Sequence, residues 1–391
     1  MRRNAGSTVH VPNNCEDLYA SIRQRNLTTT VQSASVATEM AGKHESKWLG
    51  VLKILSFAGV VLISCFLVHG LISKGLRMVN SDTFGAWNAA MQGRAGAQII
   101  ISGSSRAAYH YDPRTIEQAT GLTAFNIGRN GSQTDVQLGV LRAYLEHNQK
   151  PEVVVQNLDA FTFVTTREVY DPALYVPYLD DPAIYAMMKQ LDPELIRGRY
   201  LPLYNYTVED MNFTWWLGLR SLVGINPRGN VYLGFTPRYQ SWTGDFAKFK
   251  AANPQGVSFP VEPKGIAVLQ SLIDLCKAQH IRLILVYSPE FLEMQRMTRD
   301  RSEIFSEFQT LAQRNDVPLW DYSGWAYGSD REMFYNSQHL NADGAALFST
   351  QFAHDLASYL RGANLPHAAS IESSNRPASA QIPKEHSSDV Q

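Results

Sequence analysis

Apolar residues along this chain fall into two kinds of run. One is a single long block at 54–72, ILSFAGVVLISCFLVHGLI, which contains no acidic or permanently charged side chain. Roughly 19 such residues are enough for a helix to cross a hydrocarbon core. The other kind is short and rich in β-branched residues: AQIIIS at 97–102, AFNI from Ala124, EVVVQ from Glu152 and IRLILVYS from Ile281, each followed by a helical pattern, with a fifth run at 317–320. These runs are too continuous for half-exposed strands. They predict an α/β domain with a parallel sheet and helices on both faces, plus one N-terminal transmembrane helix.

Helix starts punctuate the alternation. Asp112-Pro113 opens one helix, Ser132 with Asp135 three residues later opens another, and Asn341 caps a last one through ADGAALFSTQFAHDLASYL. Between the third and fourth strands, about 161–263, the alternation breaks into an insertion dense in Tyr, Trp and Pro. Its Trp215, Trp216, Tyr239 and Trp242 have two readings, as a wall for stacking on sugar rings or as the insertion's own core. Residues 1–46 and 362–391 are polar, without periodicity, and read as unstructured tails around an anchor at 47–74 and a domain at 80–361.

Charge changes the picture only near the long apolar block. Lys43, Lys47 and Lys53 precede it while Lys74 and Arg77 follow, a modest bias that favours a cytoplasmic N-terminus and an extracytoplasmic domain. The block lies too far from the chain start for a cleavable signal peptide, so an uncleaved anchor is expected. Elsewhere Lys+Arg 35 balance Asp+Glu 36, and a net charge of -1 gives no field to recruit nucleic acid. Cys15, Cys65 and Cys276 are too scattered for a disulfide framework or a zinc cluster, and Cys276 in LIDLC reads as a buried small hydrophobe. No motif calls for a metal or a cofactor.

Candidate chemistry collects where the strands end. The first strand runs into Gly103-Ser104-Ser105-Arg106, a sharp turn into a helix at the carboxyl edge of the sheet, where open α/β sheets bind ligands. A serine there can present its hydroxyl to a crevice beside free backbone N–H groups. The second strand leads to Asn126-Ile127-Gly128-Arg129-Asn130-Gly131, and the third to Gln156-Asn157-Leu158-Asp159. Asn336-Ser337-Gln338-His339-Leu340-Asn341 then lies just before the last helix. His110 and Asp112 form a further local pair of candidates, although the Asp-Pro helix start accounts for Asp112.

The order and spacing of these clusters resemble the SGNH (GDSL-like) hydrolase superfamily. GSSRAAYHYDP, NIGRNG and SQHLNADGA are similar to its membrane-anchored branch, which includes proteins of D-alanyl transfer to teichoic acid and of alginate-type exopolysaccharide O-acetylation. The resemblance implies that Ser105 is the nucleophile and His339 its base. It further implies an oxyanion hole from the N–H groups of Ser105 and Gly128 with a side chain of the third cluster, Asn157 or alternatively Asp159. Asn130 and Arg106 are then candidate substrate contacts.

One position departs from the family pattern. The aspartate expected three residues before the histidine is Asn336, which can orient the ring but stabilises an imidazolium far less. Three outcomes stay open: a slow Ser-His pair, a carboxylate supplied by Asp321 or Asp343, or a site that binds without turnover. The function expected is an O-acyl esterase or acyltransferase acting on a surface or secreted polysaccharide, at a bacterial inner membrane with the domain periplasmic. The resemblance implies a membrane-bound O-acyltransferase as partner. The alternative is a non-catalytic glycan-binding or scaffold subunit.

Overall fold

The computed structural model describes residues 15–80, 82–207, 213–227 and 232–362, without the side chains of 15–18, 41–46 and 82. The chain forms two units, 1–67 and 68–391. In the first, the described residues belong to one continuous helix, α1 (Cys15–Arg77), which extends into the second unit. Residues 15–46, expected to be unstructured, are therefore helical, while 1–14 and the tail beyond Gly362 lie outside the described residues. The local reason is an absence of breakers: no Pro or Gly occurs between Cys15 and Ala41. Within α1, 47–77 is long and apolar enough to cross a membrane, and its most apolar 18-residue window has mean hydropathy 2.5 with none of it buried.

The second unit continues with α2 (Asp82–Met91), β1 (Ile99–Ser102), α3 (Ser105–His110), α4 (Pro113–Thr120), β2 (Ala124–Asn126), α5 (Thr134–His147) and β3 (Val153–Asn157). Between β3 and the next long helix come short 3-10 turns and four helices, α6 (Pro182–Leu191), α7 (Arg197–Tyr200), α8 (Thr214–Leu222) and α9 (Asp245–Ala252). The described residues continue with α10 (Pro263–Ala278), β4 (Arg282–Tyr287), α11 (Leu292–Met297), α12 (Arg301–Asn315), β5 (Leu319–Asp321) and α13 (Ala342–Leu360). All five strands are parallel, in the order β2-β1-β3-β4-β5.

That order follows from burial on both faces. Along β1, Ile100 packs into one core with Val154, Leu283 and Leu285, while Ile99 and Ile101 point the other way to Val153, Val155, Ile284 and Val286. The period of two thus divides the strands between two helical layers. Helices α2, α5, α10 and α12 contribute to the first core, and α4 and α13 to the second. The direction of the chain reverses about β1 and β3, the switch point at which such sheets leave a crevice beyond the strand ends.

Caps follow the sequence at two of three expected positions. Asp112 accepts from Arg114 N at 3.0 Å, and Asn341 accepts from Gly344 N at 2.9 Å. Ser132 does not cap α5. Its hydroxyl donates to the Arg129 carbonyl at 2.8 Å, and the helix begins after Gln133 without a side-chain cap. The insertion builds its core from Val169, Leu174, Tyr175, Tyr178, Ile184, Met188 and Tyr206, fastened to α2 through buried Trp87, whose indole N–H donates to Leu174 O at 2.7 Å. Trp215, Trp216 and Tyr239 are outside that core, at 40%, 54% and 74% exposure, and Trp242 packs instead on Phe291 at 4.8 Å. Cys276 is fully buried, and desolvation pushes its thiol up to about 12.

Because α13 carries the last strand-end loop, its seating matters for the site. Phe352 is fully buried, with its ring 4.9 Å from Tyr111 and 5.9 Å from Trp320. Phe352→Ala is expected to lower unfolding free energy by about 3–5 kcal/mol, and Phe352→Leu by clearly less; denaturant unfolding followed by fluorescence checks both.

Candidate active site

Ser105 is the first residue of α3, and the turn that delivers it depends on Gly103. Gly103 has φ +146°, and a Cβ there would sit 2.8 Å from Asn157 Cβ and 2.9 Å from Ala107 Cβ, so only glycine lets β1 turn this sharply between its neighbours. Ser104 then caps the helix, its hydroxyl accepting from Arg106 N at 3.3 Å. As a first-turn residue, Ser105 has no carbonyl one helical turn before it for its own N–H.

His339 arrives from the other end of the chain. Its Nε2 lies 2.7 Å from Ser105 Oγ. The loop that carries it is clamped twice: Leu340 N–H donates to His110 Nε2 at 3.1 Å, and Tyr335 N–H donates to His339 O at 3.1 Å. His110 Nδ1 is in turn 3.0 Å from Ser288 Oγ. Since Nε2 of His110 accepts, Nδ1 carries the proton, and burial, followed by Arg106 and His339, holds its pKa well below the ordinary 6.5. His110 is thus a neutral strut under the histidine loop rather than a partner of Asp112, which is bound to Arg114.

Asn336 stands behind the imidazole. Its Oδ1 is 3.0 Å from His339 Nδ1 and also accepts from the backbone N–H of Gln338 and of His339, each at 3.0 Å. Three donors on one oxygen fix which way the amide faces, so Nδ1 is protonated and Nε2 presents its lone pair to the serine hydroxyl. The partner of Nδ1 is therefore this neutral amide. Asp321, one of the two carboxylates considered for that place, instead accepts from Ser323 N at 2.8 Å, and no bond or ion pair joins Asp343 to His339 among the described residues.

The electrostatics follow from that. Burial, then the guanidinium groups of Arg106 and Arg238, lower the His339 pKa to about 3. Arg238, from the insertion, lies over Tyr109 at 3.9 Å, and Tyr109 and Tyr335 enclose the imidazole, the latter stacked at 5.3 Å and 8°. The ring is thus held in its basic form, with little to stabilise the cation once a proton arrives.

In front of Ser105 and His339 is a small polar cleft lined also by Arg106, Asp159, Phe161, Phe259, Glu290 and Gln338. Arg106 is buried across Tyr287 at 4.3 Å, donates to Ser288 O, and faces Asp159 at 3.4 Å. Burial pushes the Asp159 carboxyl up to about 6, with Arg106 pulling against it. Glu290 accepts from Tyr287 OH at 2.8 Å.

The remaining sequence candidates sit behind this cleft. Asn157 accepts from Tyr111 OH at 2.8 Å and donates to Leu158 O at 3.2 Å, which ties off its amide beneath the turn. Of the two third-cluster candidates, Asp159 is the one that reaches the cleft. Gly128 packs against α3, where a Cβ would meet Ala108 N at 2.6 Å, and its N–H donates to Asn126 Oδ1 at 2.9 Å. Asn130 is half-buried and does not line the cleft. Sequence reasoning missed Glu290, Gln338, Tyr109, Tyr335 and Arg238. Gln338 was signalled by its place beside His339, Tyr109 by its place within GSSRAAYHYDP and Tyr335 by its place before Asn336; Glu290 and Arg238 lie in segments with no motif.

No family model matches the chain, and no curated protein matches it. Several solved structures are similar to it. The psychrotrophic esterase EstA from Pseudoalteromonas sp. aligns over 67% of this chain and 98% of its own, at 13% identity and TM-score 0.36. A GDSL-like lipase from Bacteroides thetaiotaomicron aligns over 70% and 98%, at 10% identity and TM-score 0.33. Axe2, an acetyl-xylooligosaccharide esterase from Geobacillus, aligns over 66% and 92%, at 13% identity and TM-score 0.32. At such scores and identities the likeness says nothing of activity, which has to come from the residues themselves.

Two measurements check the electrostatics. An NMR titration of His339 is expected to show a neutral ring until about pH 3; Asn336→Asp, by placing a carboxylate on Nδ1, should raise that midpoint by about one to three pH units. Because the unfolded imidazole titrates near 6.5, only the unfolded chain takes up this proton between 6.5 and about 3. This histidine's contribution to stability is thus complete above pH 6.5 and falls as pH drops through that window, and His339→Gln should flatten that part of the stability profile.

Proposed function

We propose that this protein is a serine esterase or acyltransferase of the SGNH type, anchored by α1 and acting on O-acyl groups of a surface or secreted polysaccharide. The observation that carries the reading is the 2.7 Å contact between Ser105 Oγ and His339 Nε2, with the tautomer set by Asn336. Ser105 Oγ attacks an ester carbonyl as its proton passes to Nε2. The tetrahedral oxyanion lies at the start of α3, where the Ser105 N–H is available to it. Collapse expels the alcohol, protonated by Nε2–H, and leaves an acyl-serine. Water or a sugar hydroxyl then gives a proton to Nε2 and takes the acyl group, which restores Ser105.

The polysaccharide, the membrane-bound O-acyltransferase as acyl source and the periplasmic setting rest on the resemblance of GSSRAAYHYDP, NIGRNG and SQHLNADGA to the anchored branch. The cleft suits a small acyl group. Its walls are mostly polar side chains, with Phe161 and Phe259 supplying a short apolar edge.

A second reading keeps the fold and drops the turnover: a subunit that binds acylated glycan without cleaving it. What favours it is the neutral amide on Nδ1 beside two guanidinium groups that oppose an imidazolium. A fluorophosphonate probe separates the readings. The enzyme should label at Ser105, and Ser105→Ala or His339→Ala should lower aryl-acetate turnover by about 10³-fold or more. Asn336→Asp should raise turnover by about tenfold or more and move its acid limb to higher pH, since a carboxylate stabilises the imidazolium formed in the transition state. No labelling and no Ser105-dependent turnover leaves the binding subunit.

A further inference from the structure

The end of α1 is gripped by the insertion. Leu203 N–H donates to His69 Nδ1 at 3.2 Å, Ser73 Oγ is 3.1 Å from Tyr206 OH, and Arg77 Nε donates to Pro177 O at 2.8 Å. Helix α8 crosses α1 at a pair of glycines: a Cβ on Gly75 would overlap the Gly218 backbone, and one on Gly218 would lie 2.6 Å from Ile72 O. Ile72 and Leu76 are consequently buried, although they continue the exposed apolar surface of the same helix.

The crossing falls where the apolar block 54–72 ends. Gly218 and Ser221 face inward, and the outer side of this collar is apolar and aromatic: Tyr200 is 62% exposed, Leu201 52%, Phe213 75%, Trp216 54%, Val223 72% and Ile225 58%. These side chains are too widely exposed to serve a core, and none of them lines the catalytic cleft.

We propose that this collar is a lipid-binding surface, seated in the headgroup region of the bilayer that α1 crosses; the inference rests on α1 being a membrane helix. Two observations select lipid as the occupant. The patch borders the last turns of the apolar block, because α8 touches α1 at Ile72 and Gly75 and Leu203 bonds to His69. The headgroup regions together add about 10–15 Å to a hydrocarbon core of about 30 Å, so each is about 5–8 Å deep, less than the width of a helix, about 10–12 Å. A helix packed at the last turn of the span is therefore held at interfacial depth. The composition also fits that layer, where Trp and Tyr concentrate with Arg and Lys at their margin; here Arg199, Arg220 and Lys74 accompany Tyr200, Trp215 and Trp216.

The test uses the full chain with Cys15, Cys65 and Cys276 replaced by serine or alanine, reconstituted in phosphatidylethanolamine/phosphatidylglycerol nanodiscs. Nitroxides are placed singly by Val223→Cys, Tyr200→Cys, Ile63→Cys in the apolar span and Leu347→Cys on α13. Collision with oxygen is compared with collision with a water-soluble nickel chelate. Positions 223 and 200 are expected to favour oxygen, as position 63 does, while 347 favours nickel. If 63 favours oxygen but 223 and 200 behave like 347, the collar is wrong and the anchor stands. Shielding of 223 and 200 from both reagents means that protein covers the patch, and also overturns the proposal. If 63 favours nickel, the anchor fails and the collar with it.

Discussion

The hydrogen bond from Ser105 to His339 joins residues 234 positions apart, and most of the second unit's architecture bears on whether it can form. On one side, β1 must end in a turn that only Gly103 permits, so that the serine leaves the sheet edge at the first residue of a helix. On the other, α13 must dock on α4 and the core beneath, through Phe348 and Phe352 against Tyr111. Between them, His110 accepts from Leu340 N and so binds the histidine loop directly to the helix that carries the serine. The distance at the site thus depends on packing and backbone contacts rather than on the pair's own attraction, as preorganised sites require.

The same burial that positions the pair limits it. His339 is half-buried at the cleft and two guanidinium groups lie near it, so the ring is neutral and able to accept a proton while the resulting cation gains little. A carboxylate at position 336 would offset this; the amide there supplies direction without charge. The cleft's own charges are arranged differently. Arg106 is balanced by Asp159 and lies near Glu290, so the guanidinium next to the serine is part of a buried network and not a free anion receptor.

The insertion serves two ends of the molecule. Arg238 and the backbone around it reach the histidine loop, where Ala342 N–H donates to Arg238 O at 2.7 Å. Tyr206 and α8 meanwhile hold the end of α1. One aromatic segment therefore contacts both the histidine loop and the end of α1, and Trp215 and Trp216, read from sequence as a candidate sugar-stacking wall, are not among the residues that line the cleft.

Sequence alone determined what depends on local periodicity. The five strands lie within about two residues of their β-branched runs, because a strand buried on both faces must be apolar throughout. Asp112 and Asn341 cap helices because a short polar side chain before a helix has little else to bond. The apolar block was legible by length, and Gly103-Ser104-Ser105 by its place after a strand. Ser132 shows where this stops: the same residue type caps nothing, because the Arg129 carbonyl, brought close by the turn, takes its proton. Only the tertiary structure decided that His110 holds the histidine loop through Leu340 N, that Asn157 is tied to Tyr111, and that Arg238 stands by the imidazole. Those outcomes rest on contacts between segments far apart in the chain, which spacing along the sequence does not encode.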